Sequence, residues 1–460
     1  MSQLLTQDRA DGVAVLGRGA RASDAASADR RELRETSSRH LTNNSVQEHF
    51  VQRLDEVVAE ERPQSGVEGP PTVMALPSKA THHQTRVHNE RLVVRTVYDL
   101  GPISRADVAR QTGLTRTTVS DVVTGLLDDG VVREIGRGQS TGGKAPILLE
   151  VDQDARLVVG LDLGEEHFAG SVVNLRGEIR RSVELPVAGR DGDDAVQLVY
   201  VLLDRLLDGI AAPLLGIGIG TPGLVDSRTG TIRRAVNLDW RDLPLGDMVG
   251  ERFGVPVNVA NDSQAAALAE YTYAGEGRVP NLIAIRVGRG VGAGLILRGA
   301  LFQGDGSGAG EIGHIVVDDD GALCRCGRTG CLETVAGMRA IEGKATHATG
   351  RPTDLDDVSA ALRAGEAWAV SIVDEAGGAL GRAIAALVGA LDVERVVVLG
   401  PVTVLGEPWL AAVRREAGSH ALALLVDDLE IDVGRPTTNV VIRGASALLV
   451  ARELGLSLVR

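Results

Sequence analysis

Apolar positions along this chain change their period three times. Through residues 1–80 Ser, Ala, Arg, Asp and Gln dominate, and one helix is expected from Ser45, where Val46, Phe50, Leu54, Val57 and Val58 share a face. Ser45 and Glu48 resemble a capping box, Arg62-Pro63 ends the helix, and Gly66 to Pro77 reads as linker. Residues 1–80 are therefore expected to be a disordered extension without function, or to precede a later start at Met74. Residues 81–150 read as three short amphipathic helices and a hairpin. Leu92, Val93, Thr96 and Val97 line the first helix, and Pro102-Ile-Ser104 opens a second that turns Val108 and Ala109 inward and stops near Gly113. Thr115 caps a third, in which Val119, Val122, Val123, Leu126 and Leu127 hold an i, i+3, i+4, i+7, i+8 stripe until Gly130. Two strands, 131–135 and 147–150, flank a Gly-rich tip from Gly136 to Lys144. That order predicts a winged helix-turn-helix.

From Leu157 strands and helices alternate. Residues 158–162, 169–175 and 178–187 predict a β-meander, 196–210 a helix, and 215–219 and 257–260 buried strands. The order recurs after residue 280, with strands at 281–287, 292–297 and 395–399 and a helix over 370–391. An α/β fold of two similar lobes follows, residues 155–265 and 266–460, with the last helix free to pack back on the first lobe.

Length and charge narrow the picture. A chain of 460 residues exceeds what one core serves, and 44% hydrophobic with 24% charged content is ordinary for a globular protein. A net charge of −14 argues against a broad nucleic-acid or membrane surface, so any DNA contact must come from a local patch. No apolar run is long enough to span a bilayer, and no basic-then-apolar leader opens the chain. Three cysteines cannot build a disulfide framework. A cytoplasmic protein with no membrane partner is expected.

The chemistry concentrates in Gly308-Ala-Gly-Glu-Ile-Gly-His314 and in Cys324-x-Cys326-x4-Cys331-Leu-Glu333. All three cysteines fall within eight residues, ten positions after a histidine. Three thiolates and one imidazole, from His314, Cys324, Cys326 and Cys331, complete a tetrahedral set for one structural Zn2+ with no position open for water. The competing reading is a cysteine knuckle beside an unrelated histidine; Gly-rich turns between the ligands and the lack of a leftover cysteine favour zinc. Glu311 and His314 are three apart and would share a helix face, so His314 could give one ring nitrogen to zinc while Glu311 enters a neighbouring cavity.

On the third helix the face opposite the stripe carries Arg116, Thr117, Ser120, Asp121 and Thr124. Short polar side chains with an arginine near the N-terminal end suit a major groove. Arg105, Arg116, Thr117, Thr118 and Ser120 are the expected DNA contacts, and Arg137 and Lys144 on the wing suit phosphates or the minor groove. A helical domain for dimerisation or protein contact competes, because Asp107, Asp121, Asp128, Asp129 and Glu134 offset the arginines.

Ser104-Arg-Ala-Asp-Val-Ala109, Gly218-Ile-Gly-Thr-Pro-Gly223, Asn261-Asp262, Gly308 to His314 and Cys324 to Glu333 together resemble the regulator branch of the ROK family of repressors and sugar kinases, over residues from about 88 to 460. The resemblance implies a two-lobed, actin-like (ribonuclease-H-like) sugar kinase fold behind the winged helix-turn-helix. It implies zinc on the four residues above and sugar hydroxyl contacts at Gly223, Asn237, Asn261, Asp262, Glu311, His314 and Glu333. Carboxylates, amides and an imidazole can meet both the donor and the acceptor side of sugar hydroxyls. A wrong epimer would leave such buried groups unpaired. In a kinase Asp262 would be the general base; in a sensor it would only bind the hydroxyl, and it is also a candidate helix N-cap.

The phosphate-handling segments depart from the family. Kinases open with Asp-x-Gly-Gly-Thr, whereas this chain reads Asp162-Leu-Gly-Glu165-Glu166, with added negative charge beside the triphosphate position. Like unit charges about 4 Å apart repel by roughly 1 kcal/mol in water and more in a dry cleft. Gly288-Arg-Gly-Val-Gly292 stands where kinases carry Gly-Thr-Gly, with Arg289 able to receive an anion, and Gly400-Pro401 replaces a double glycine near the adenosine site. An intact sugar half and an altered nucleotide half imply a sugar-responsive regulator, a repressor, with no catalytic residue. Its partners would be operator DNA, a sugar or sugar-phosphate effector, and further copies in a homodimer or homotetramer. The rivals are an ATP-dependent hexose kinase with an appended DNA-binding domain, and a regulator that answers to a partner protein.

Overall fold

The computed structural model describes residues 82–139, 145–273, 279–434 and 439–455. The helix expected from Ser45 and the wing-tip residue Lys144 lie outside them. The first elements are helices α1 (His82–Leu100), α2 (Arg105–Thr112) and α3 (Arg116–Asp128), with strands β1 (Ile103–Ser104), β2 (Val132–Arg137) and β3 (Ile147–Val151) in the order β1-β3-β2. Ser104 caps α2 by accepting from the Asp107 amide at 3.2 Å, and Thr115 caps α3 by accepting from the Thr118 amide at 3.2 Å. Val119, Val123 and Leu126 of the α3 stripe are buried with Val93, Val97, Val108 and Leu149. The two-residue strand β1 was not expected. Pro102 to Ser104 do open α2, but Ile103 first pairs with Leu149 of β3, which ties the helices to the hairpin.

Two five-stranded sheets follow one plan. The first contains β4 (Leu157–Leu163), β5 (His167–Asn174), β6 (Ile179–Pro186), β7 (Leu214–Thr221) and, after a separate hairpin sheet of β8 (Leu224–Asp226), β9 (Thr231–Ala235) and β10 (Trp240–Leu243), strand β11 (Val257–Asn261). The second contains β12 (Leu282–Val287), β13 (Val291–Leu297), β14 (Ala300–Phe302), β15 (Arg395–Leu399) and β16 (Glu430–Val433). Their orders, β6-β5-β4-β7-β11 and β14-β13-β12-β15-β16, are the same permutation: an antiparallel meander, then two parallel strands. The central strands β4, β7 and β12 read as near-continuous apolar runs because both of their faces are covered.

Helices complete the layers. α4 (Gly192–Leu207) begins ahead of the expected 196–210, because Asp193 and Asp194 suit the positive end of a helix. It packs with α5 (Leu245–Phe253) on the outside of the first sheet, through Val199, Leu202, Val249 and Ile217. Between the sheets lies α6 (Asp262–Tyr273), buried at every position from Ser263 to Tyr271. α7 (Met338–Thr349), α8 (Leu355–Arg363), α9 (Ala367–Leu391) and α10 (Gly406–His420) cover the outside of the second sheet around Trp409, Leu380 and Ile384. α11 (Val440–Glu453) returns to pack on β4 and β7 and against α6. Ala265, Ala266, Ala267, Ala445 and Ala447 line this central layer, and side chains that small let the two helices fit between the sheets. Among the described residues no helix is long and apolar enough to cross a membrane.

Candidate functional site

The end of β11 and the start of α6 set the first part of the candidate site. Asn261 Oδ1 accepts from the amides of Ser263 at 2.9 Å and Gln264 at 3.2 Å, so Asn261, and not Asp262, caps α6. Relieved of that duty, the Asp262 carboxylate takes Arg286 Nη1 on Oδ2 at 2.8 Å and Ser263 Oγ on Oδ1 at 3.1 Å. Asn261 Nδ2 donates to the Gly223 carbonyl at 3.0 Å and approaches Glu311 Oε1 at 3.5 Å. Only glycine fits at 223: its φ is 91°, and a Cβ would lie 2.1 Å from the Arg234 carbonyl. Glu311 leads into a 3-10 turn, Ile312–His314, that sets its Oε2 3.9 Å from His314 Nε2. Burial pushes the Glu311 carboxyl up from its ordinary range against the opposing His314, with Asp262 and Glu333 adding to the rise. Gly223, Asn261, Glu311 and His314 thus form one continuous set, with Asp262 beside it. Glu333 Oε2 accepts instead from the Val291 amide at 3.3 Å, and Asn237 Oδ1 accepts from Arg325.

The other ring nitrogen of His314 faces the cysteines. Its Nδ1 lies 3.6 Å from Cys324 Sγ, Cys326 Sγ lies 3.6 Å from Cys331 Sγ, and the four ligand atoms all fall within 4.8 Å of one another. Tetrahedral zinc, with Zn–S of about 2.3 Å and Zn–N of about 2.0 Å, would set S···S near about 3.8 Å and N···S near about 3.5 Å. The donor set fits the ion. Cys324 and Cys331 are buried, and burial drives the Cys331 thiol up to about 12, so a cation is what would let these sulfurs ionise.

The β4–β5 turn differs from the expectation in its electrostatics. Glu165 pairs with Arg339 of α7 and, at 3.5 Å, with Arg325 Nη1; Glu166 pairs with Arg289 of the β12–β13 turn. The two acids are therefore neutralised by three arginines of the second half of the chain, and the expected bare repulsion is replaced by occupation. Arg289 does hold an anion, and that anion is Glu166. Arg286, Arg325 and Arg339 were missed in the sequence. For Arg286 there was a signal, a lone charge inside the apolar strand Leu282–Val287, which calls for a buried partner.

Asp162, near the end of β4, has a buried Oδ1 with no hydrogen-bond partner among the described residues. Burial pushes its carboxyl up to about 6, with Arg286 opposing and Asp262 adding. A carboxyl near 6 when folded and about 3.9 when unfolded makes the native state bind more protons across that window, so stability falls as pH rises through it. Asp162→Asn should be more stable than the parent at pH 8, by on the order of 1–3 kcal/mol, with the gain vanishing below about pH 4. Denaturant melts at the two pH values check this; a parent as stable as the variant at pH 8 would contradict it.

On α3, Arg116, Thr117, Ser120 and Thr124 are exposed on one side, and Arg137 is exposed at the end of β2. Thr118 is half-buried and shares a 2.8 Å hydroxyl contact with Thr115 at the helix start, while Arg105 Nη1 is paired with Glu134 at 2.9 Å. The helices are tied to the first sheet near its β5–β6 turn. Tyr98 Oη donates to the Leu175 carbonyl at 2.8 Å, and Arg176 lies 4.0 Å over the Tyr98 ring while donating to the Tyr98 carbonyl at 2.8 Å. Gly177 of the same turn (φ 78°) abuts Tyr273, the last residue of α6: a Cβ there would be 2.6 Å from Tyr273 Oη.

The ROK family model matches residues 158–452. The xylose repressor of Caldicellulosiruptor bescii is 30% identical over 385 residues, 80% of this chain and 96% of that one. The glucokinase of Halalkalibacterium halodurans is 36% identical over 318 residues, 65% of this chain and 96% of that one. The crystal structure of a ROK family transcriptional regulator, a homologue of the E. coli MLC protein, superposes with a TM-score of 0.72 at 26% identity over 80% of this chain and 96% of that one. The duplicated sheets are accordingly those of the actin-like, sugar-kinase type of α/β fold. Since the match runs unbroken from β4 through the cysteine loop to α11, this chain belongs to the ROK family.

Proposed function

We propose that this chain is a sugar-responsive transcriptional repressor. Residues 81–150 would be a winged helix-turn-helix that reads operator DNA, and residues 155–265 and 266–460 the two lobes around a sugar cleft. One observation carries the choice of receptor over kinase: Glu165 and Glu166 stand where a ROK kinase keeps its triphosphate loop, paired with Arg339, Arg325 and Arg289. A kinase has to seat a triphosphate there, and carboxylates repel one. Gly223, Asn261, Glu311 and His314, with Asp262 beside them, would present the mixed donors and acceptors that sugar hydroxyls require, and Asn237 and Glu333 would complete the set. Arg116, Thr117 and Ser120, together with Arg105, Thr118, Arg137 and Lys144, would contact the operator, and a symmetric dimer would set two α3 helices on a palindrome. Zinc on His314, Cys324, Cys326 and Cys331 would be structural, because four protein ligands leave no open position for a substrate.

Coupling would run along α6. Its first residue, Asp262, belongs to the cleft, and its last, Tyr273, meets the turn that clamps Tyr98 of α1. Fluorescence anisotropy on operator duplexes selected from a random pool tests the reading. A saturating effector sugar should weaken operator binding by about 5–150-fold, the usual range for coupled sites. Hexose phosphorylation at about 1 s⁻¹ or faster, in a coupled assay for ADP release, would contradict it.

A further inference from the structure

We propose that the cleft accepts an uncharged monosaccharide and excludes sugar phosphates, because Glu165 and Glu166 have taken the arginines that would otherwise receive a phosphate; this rests on the sugar-receptor reading above. Six carboxyls meet there, from Asp162, Glu165, Glu166, Asp262, Glu311 and Glu333, against four guanidiniums, from Arg286, Arg289, Arg325 and Arg339. Every one of the four is already spoken for: Arg286 by Asp262, Arg289 by Glu166, and Arg325 and Arg339 by Glu165. Zinc with three thiolates and an imidazole would add a further net negative charge.

A phosphate ester carries about −1.5 to −2 near neutral pH and seeks paired, charge-assisted donors. A phosphate on the hydroxyl that Asp262 holds would face Asp262 and Asp162, with Arg286 as its one cation and that cation already bonded. Further along the cleft it would have to displace Glu165 or Glu166. An uncharged sugar meets no such obstacle, since the carboxylates Glu311 and Glu333 can accept from its hydroxyls. Arg325, between two zinc ligands and bonded to Asn237 and Glu165, serves here as a positioning residue and not as an anion receptor.

Isothermal titration of the full chain with matched pairs tests this: glucose and glucose 6-phosphate, N-acetylglucosamine and its 6-phosphate, xylose and xylose 5-phosphate. At least one uncharged member should bind, and its phosphate should bind at least about tenfold more weakly. In Glu165→Gln and Glu166→Gln, which release arginines, that gap should narrow. A phosphate that binds as tightly as its parent sugar overturns the proposal and leaves the receptor reading standing. No binding by any of the six overturns the receptor reading and this inference with it. A gap unchanged in both variants, each shown folded by its thermal melt, overturns the role given to the two glutamates.

Discussion

Cys331→Ser is expected to empty the metal site and to abolish the sugar response with it. Cys331 is fully buried, with its sulfur 3.6 Å from Cys326 Sγ and 3.7 Å from the His314 carbonyl. Between β14 and α7 the chain has little regular structure: two one-turn helices, isolated bridges at Val316–Cys331 and Leu323–Thr329, and a few turn hydrogen bonds. A stretch of that kind cannot hold side chains to the tolerance that sugar recognition needs, and a four-ligand ion can. Its ligands are spaced to act on the pocket. His314 turns Nδ1 toward the sulfurs and Nε2 toward Glu311, and Cys331 lies two residues before Glu333. Structural zinc contributes roughly 10–16 kcal/mol in small peptides; a loop anchored at both ends in folded elements should lose only part of that. We expect metal content to fall from one per chain to none and sugar affinity to drop by at least about 100-fold, about 2.7 kcal/mol. Plasma emission spectrometry and calorimetry on the same preparation check both. A metal-free variant with parental sugar affinity would contradict the role given to the ion.

The second large effect is on coupling, not on binding. Tyr98 holds the Leu175 carbonyl and carries the Arg176 guanidinium on its ring, so removing the side chain breaks both contacts and leaves the Arg176 bond to the Tyr98 carbonyl between α1 and the turn that touches α6. Tyr98→Ala should keep sugar affinity, since no cleft residue is touched, while the factor by which sugar weakens operator binding falls toward one. The loss would be up to about 1–3 kcal/mol of coupling energy. Anisotropy titrations with and without sugar measure it. Tyr98→Phe, which keeps the ring and loses only the hydroxyl bond, should lie between the two. Full coupling in a folded Tyr98→Ala protein would mean that the signal travels elsewhere, with the Arg156-to-Asp129 carbonyl contact at 3.2 Å as the next route to examine.

The sequence made local order legible and long-range pairing not. The α3 stripe, the Thr115 cap, the β4–β6 meander and the repeated lobe order could be read because each rests on side chains a few residues apart. The hairpin sheet β8–β10 was missed, because Thr231-Ile-Arg-Arg-Ala235 and Trp240-Arg-Asp-Leu243 mix charge into short strands and blur the alternation. The pairings of the cleft arginines were invisible for another reason, even though the apolar strand Leu282–Val287 marked Arg286 as needing a partner. Arg286 lies 24 residues from Asp262, Arg289 123 from Glu166 and Arg339 174 from Glu165, and no periodicity links positions so distant. Hence Glu165 and Glu166 read as bare repulsive charges until their partners came into view. The cysteine set could be read early because its ligands are crowded into one segment, and the metal chemistry of three thiols and an imidazole is specific.

All of this turns on the cleft being a receptor linked to the DNA-binding elements, and thermodynamic reciprocity tests that link most directly. The dissociation constant of the effector sugar, measured by calorimetry on the free chain and on the chain saturated with operator duplex, should rise on DNA by the same factor by which the sugar raises the dissociation constant of the operator. Equal factors well above one are the predicted result. A sugar that binds with the same constant whether or not operator is present would contradict it.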